Sequence, residues 1–180
     1  DFMEANEDYA ISSHNTMILD SKDNFSLFSK NNFLHNTFGL VDYLQNHFIH
    51  SSSLVFRKKM LKPFPAWYST VFAGDGFLVL LLAMEGKIHY INKPMSVYRL
   101  NYNSISNYAS RIEIAKNFEN HFRLFDKHSN YKFSKEINDK IFSLFFNLNY
   151  YNTNYFKKLF FLKNNFLKII AINKKILPHY

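Results

Sequence analysis

The sequence predicts an α/β protein: a mixed segment over residues 1–107, followed by a helical appendage with a basic tail over residues 108–180. Three observations carry this. Stretches rich in β-branched and aromatic residues flank one helix-length apolar run, Gly74–Glu85. After Asn107 that texture stops, and apolar residues recur only at three- and four-residue spacing. Hydrophobic residues make up 47% of 180, enough for a packed core and too many for a disordered chain.

The elements follow in order. The opening "DFMEANEDYA" reads as the end of a helix without a capped beginning or a targeting segment, as expected of a cut through a larger protein. Tyr9–Leu19 reads as a strand, closed by the turn-forming "DSKDN" and a mobile polar loop to Asn32. Val41–Phe48 is a short helix, and His50–Arg57, "HSSSLVFR", has the content of a strand. "KPFPAW" is a proline-restricted loop. Gly74–Glu85 is apolar on every side, which predicts a buried helix. "GKIHYIN" and "MSVYRLN" read as two short strands separated at Lys93-Pro94, where a ladder donor is lost.

In the appendage, Ile114, Phe118, Phe122 and Phe125 make one helix stripe, with Glu119 and Arg123 paired at i, i+4. Ser134 can cap a second helix carrying Ile137, Ile141, Leu144, Phe145 and Leu148. A third, from about Asn152 to Ile172, sets Leu159, Leu162, Phe166, Ile169 and Ile170 against lysines.

Composition excludes several classes. There is no cysteine, hence no disulfide and no thiolate metal site, which suits a reducing, cytoplasmic compartment. No apolar stretch of about 18 residues is present to span a bilayer. The net charge is +8, and residues 150–180 supply six lysines with no acid. A nucleic-acid surface would spread its cations over the domain and show stacking motifs on paired strands, so no nucleic-acid partner is expected. The lysine helix suits either peripheral contact with an anionic membrane, at its inner face, or a solvated side of a docked helix.

Chemistry concentrates at "AGDGF". Asp75 reads in two compatible ways. As a helix N-cap it satisfies orphan N–H groups and complements the dipole. As a general base it stands ahead of a buried helix, with flanking glycines admitting close approach. His14, His35, His47, His89, His121 and His128 show no metal-ligand spacing.

The order "HSSSLVFRKKML", "PFPAWY" and "AGDGFLVLLLAMEGKIHYINKPMSVYRLNYNSIS" resembles the C-terminal half of family-2 glycosyltransferases of the glycosyltransferase-A fold. The shared features are a strand ending Ser-x-x-x-Arg, a Gly-Asp-aromatic helix start, a Gly-Lys-Ile-x-Tyr-Ile strand, and Tyr-Arg followed by Ser-x-Ser. The opening "DFMEANEDYAISSHN" resembles the segment after that family's Asp-x-Asp motif, so the likeness covers roughly residues 1–106.

The resemblance implies a partial glycosyltransferase-A-type mixed sheet with flanking helices. It also implies an inverting transfer of sugar from a nucleotide-sugar donor to a polysaccharide or glycolipid acceptor. Asp75 would deprotonate the acceptor hydroxyl, and Arg99 would face the donor diphosphate; without the resemblance Arg99 is equally a surface ion-pair residue. His50 and Ser52 would line the acceptor side, or simply polarise a strand. Asn101 stands where the family usually carries a metal-binding His, and its carbonyl oxygen suits Mg²⁺ or Mn²⁺. No Asp-x-Asp or Gly-rich phosphate loop occurs in these residues, and the family's donor site lies in the preceding half. The expectation is an enzyme fragment that binds sugar nucleotide poorly alone. The rival reading is a non-catalytic basic helical interaction module in which Asp75 only caps.

Overall fold

The computed structural model describes residues 2–101 and 110–152. The chain divides into two compact units, Asp1–Tyr108 and Ala109–Tyr180. The first is mixed α/β, with a mixed five-stranded sheet and flanking helices; the second, where described, is a pair of helices.

In the first unit, helix α1 (Phe2–Ala5) leads into strand β1 (Tyr9–Leu19), the centre of the sheet. Strand β5 (Lys87–Arg99) runs parallel to β1 on one side. Two short strands, β2 (Phe25–Leu27) and β4 (Val55–Phe56), pair antiparallel with β1 on the other. Strand β3 (Thr37–Phe38) pairs antiparallel with the start of β5. A parallel pair needs a crossover, and helices α2 (Leu40–Asn46) and α3 (Gly74–Ala83) lie within it.

The core forms where these elements meet. Ala10, Ile11, Ile88 and Tyr90 from the strands are buried with Leu44 of α2 and Phe77, Val79, Leu80 and Leu82 of α3. The rings of Phe33, Phe38, Phe48 and Tyr90 pack edge-to-face or tilted at 4.6–6.2 Å. Such pairs contribute about 0.5–1.5 kcal/mol each beyond area burial. Burial pushes the Tyr90 phenol up to about 12.

Three expectations are corrected. The 20–32 stretch is not a free loop: Asp20 Oδ1 accepts the N–H groups of Lys22 and Asn24, a side-chain turn that returns the chain as β2. Residues 50–57 are not one strand. His50 Nδ1 accepts the Ser52 N–H and the Ser53 hydroxyl donates to the His50 carbonyl, winding Ser51–Ser53 into a 3₁₀ turn and leaving two residues for β4.

The third correction concerns β5, which is one strand of 13 residues rather than two. Pro94 sits opposite Asn15 at a bulge, where a missing N–H costs no regular ladder bond. The buried Asn15 side chain supports the irregularity: its amide donates to the Ser29 carbonyl, and its oxygen accepts from the N–H groups of Thr16 and Ser29.

The second unit pairs α4 (Arg111–His128) with α5 (Ser134–Asn152). Ser110 and Glu113 form a capping box ahead of α4, and Glu119 and Arg123 lie 3.8 Å apart. Phe122, Phe125, Ile137 and Ile141 are buried. Ser134 is the first residue of α5, and its hydroxyl donates to the buried Asp126 carboxylate rather than capping. The Leu148 side chain and the expected 152–172 helix lie outside what is described.

Candidate functional site

The loop before α3 is fixed from within. Tyr68, on the 3₁₀ turn Ala66–Thr70, donates its hydroxyl to the Gly74 carbonyl at 2.7 Å. Ala73 occupies the N-cap of α3 and contributes no side-chain bond. Asp75 is therefore in the first helical turn and is not the cap. Its Oδ1 accepts the Gly76 N–H at 2.9 Å, and Oδ2 accepts no hydrogen bond among the described residues. The carboxylate is exposed while Phe77, two residues on, is 2% exposed. The helix is thus anchored behind a carboxylate that stays wet.

Asp75 and Gly76 form one wall of a depression of about 120 Å³. Tyr43, His47, His50 and Ser51 bring the other polar groups, and Phe28, Ile49, Leu54 and Val79 bring the apolar ones. Ligand pockets for whole cofactors run to roughly 300–1,000 Å³, so this one accommodates part of a ligand at a time.

His50 is held from three sides. Its Nδ1 accepts the Ser52 N–H at 3.2 Å, placing the proton of the neutral ring on Nε2. The Tyr98 ring lies 4.5 Å away and Phe28 meets it edge-on at 5.1 Å. Burial lowers the His50 pKa, and the Asp75 carboxylate opposes that shift. The same carboxylate adds to burial in raising Tyr43 and Tyr68. Asp75 is therefore electrostatically linked to three side chains.

The expected residues part company here. Asp75 and His50 come together in the depression. Ser52 stands behind His50, its hydroxyl 2.8 Å from Nδ1 and 3.2 Å from the Ser96 hydroxyl, and so positions the ring rather than lining the cleft. Arg99 does not join them. Ser96 and Tyr98 face the His50 side of β5, and alternation puts Arg99 on the opposite face, exposed. Asn101 is exposed just beyond the strand end. The resemblance implies a divalent metal here; among the described residues no cluster of three or more His, Asp or Glu side chains is placed to hold one.

Sequence reasoning missed His47, Tyr43 and Tyr98 as neighbours of this site. His47 takes a left-handed backbone (φ 46°) as the C-cap of α2, which turns the chain so that His47 and His50 reach the same depression. The three-residue spacing of those histidines just after a helix was the available signal. The Ser-x-x-x-Arg motif proves architectural at both ends. Ser53 is buried, 2.7 Å from the Ser13 hydroxyl, and Arg57 donates to the carbonyls of Met3, Asn6 and Tyr9. Among the described residues no helix is long and apolar enough to cross a membrane.

No protein-family model, curated protein or solved structure matches this chain.

Proposed function

We propose that the first unit supplies the acceptor side and the general base of an inverting glycosyltransferase, with the nucleotide-sugar donor held by a separate nucleotide-binding half. One observation carries this reading: an exposed carboxylate, Asp75, with one oxygen fixed by a backbone N–H, lines a depression that also presents His50 and Ser51. A sugar hydroxyl is a poor nucleophile. In the proposed step Asp75 Oδ2 takes the acceptor proton as the acceptor oxygen bonds to the anomeric carbon. The bond from that carbon to the diphosphate breaks on the opposite side, and the nucleoside diphosphate leaves with the electron pair. A positioned base of this kind is worth roughly 10²–10⁴-fold. The small depression suits one hydroxyl-bearing portion of a glycan or glycolipid acceptor.

The stabilisation of the leaving diphosphate is not assigned to Arg99, which faces away. Peripheral contact with the inner face of a membrane belongs to the same reading, through the lysines at 157, 158, 163 and 168. Its test is co-sedimentation with anionic vesicles, which should fall when those four become Glu.

Asp75→Asn tests the base. The amide oxygen still accepts the Gly76 N–H, so stability should change by under about 0.5 kcal/mol. Transfer by the enzyme containing both halves should drop at least about 100-fold. Retained transfer would remove Asp75 as the general base.

A further inference from the structure

We infer that the stacked rings of Phe64 and Tyr68 form a carbohydrate-binding step beside Asp75, taking a pyranose of a neutral glycan on the free face of Phe64. The inference rests on the acceptor-side reading above and names a subsite for it.

Phe64 and Tyr68 lie nearly parallel, ring centroids 4.3 Å apart and planes inclined by 21°. Phe64 is nonetheless 49% exposed. One face of its ring is covered by Tyr68, and the other looks outward. The stack is not adrift on a loop. Tyr68 is fastened by its hydroxyl to the Gly74 carbonyl, and the Asp75 carboxylate is near enough to raise its pKa. The exposed ring is therefore one residue removed from the candidate base.

The sequence stiffens this arrangement. Phe64 sits between Pro63 and Pro65, two of the chain's four prolines. Proline fixes its own φ and restricts the residue before it to extended backbone. An exposed ring held on a restricted backbone and braced from behind loses little freedom when a ligand arrives, which is the condition for useful binding by a small contact. A single exposed apolar side chain is ordinary on a protein surface. A braced parallel pair adjoining a wet carboxylate is not.

The ligand chemistry follows. The face of an aromatic ring is electron-rich, and it attracts the weakly positive C–H groups on the flat side of a pyranose. Asp75 next to the step disfavours anionic sugars. The lysines at 58, 59 and 62 precede the step in sequence and suggest an anionic lipid as the alternative occupant. Two of them already lie within 4 Å of an acid, Lys59 by Glu7 at 3.8 Å and Lys62 by Glu85 at 3.6 Å. The observations therefore favour the sugar.

The experiment uses the full chain and the neutral disaccharides maltose, cellobiose and lactose. Trp67 is the only tryptophan, and its ring lies 6.2 Å from Tyr68, so its emission reports on the step. Saturation-transfer NMR on the sugar gives a second readout. At least one disaccharide should bind, Phe64→Ala should weaken it roughly 3- to 10-fold, and Phe64→Tyr should restore it. Equal binding by Phe64→Ala, with its melting curve intact, overturns the inference. So does the absence of binding by all three sugars, or Phe64-dependent binding to anionic vesicles alone. Phe64-dependent sugar binding combined with undiminished transfer by Asp75→Asn would keep the subsite and discard the base.

Discussion

The Asp75 carboxylate and the His50 imidazole line one depression, and the field of the first opposes the burial that discharges the second. Nothing in the local sequence ties these residues, which stand 25 positions apart on different elements. The link is made by the 3₁₀ turn that aims His50 and by the first turn of α3 that leaves Asp75 exposed.

Removing one member should therefore register on the other. In Asp75→Asn the His50 pKa should fall below its value in the parent chain, because burial then acts unopposed. An NMR titration of the His50 ring protons measures it. A pKa that stays put or rises means the two groups do not sense each other.

Stability should decline on mild acidification. Burial lowers the native pKa of both His50 and His89 below the unfolded value near 6.5. Above that value both states are neutral and the native fold keeps its full advantage. As the pH falls below about 6.5 the unfolded chain takes up protons first, so stability drops toward the lowered native values. The carboxylates lowered by their partners, Asp8, Asp20 and Glu113, add the same sign only below about 4. Melting temperature should fall between pH 7 and 5, and His89→Gln should flatten part of that slope. A melting temperature that rises over this interval contradicts the assignment.

Two glycines should behave oppositely. A Cβ on Gly86 would meet the Asp8 carbonyl oxygen at 2.8 Å and the Ala10 nitrogen at 2.9 Å, both backbone, so Gly86→Ala should cost about 1–3 kcal/mol. A Cβ on Gly76 would meet His47 and Tyr43 at 3.6 and 3.7 Å, ordinary contacts, within a helix that favours alanine. Gly76→Ala should be neutral or stabilise by up to about 1 kcal/mol while narrowing the depression. Urea unfolding of the two variants decides this.

Arg57 should matter for folding rather than chemistry. Its guanidinium collects three carbonyls from the α1–β1 segment. Arg57→Lys loses the planar fork that spans them and should destabilise by roughly 1.5–3 kcal/mol, with faster amide exchange at Tyr9. Unchanged exchange would show that the segment holds itself.

Much of this architecture could be read from residues. Tyr9–Leu19 is a strand over the whole stretch read as one, because its β-branched content and the following Asp20 turn agree. Gly74–Glu85 is a helix for nearly its full length because an all-apolar run must be buried. Two of the errors share a cause. At His50–Ser53, and again at Asp20–Asn24, side chains bond to nearby backbone and override the hydrophobic pattern. The place of Asp75 at the start of α3 was legible, but its neighbour His47 was not, since its approach depends on a left-handed C-cap. Arg99 was misplaced because a simple alternation count says which residues share a face, and not which face looks inward.

The bulge at Asn15 and Pro94 decides that last question. Across it the offset between paired residues of β1 and β5 grows by three, so the strand arrives at position 98 with its ring toward His50. Had the bulge taken up one residue more with the same downstream geometry, Arg99 would pair with Ile18 and the guanidinium would stand where the phenol now does. A small change in length, with no substitution at all, would exchange an aromatic wall for a cationic one.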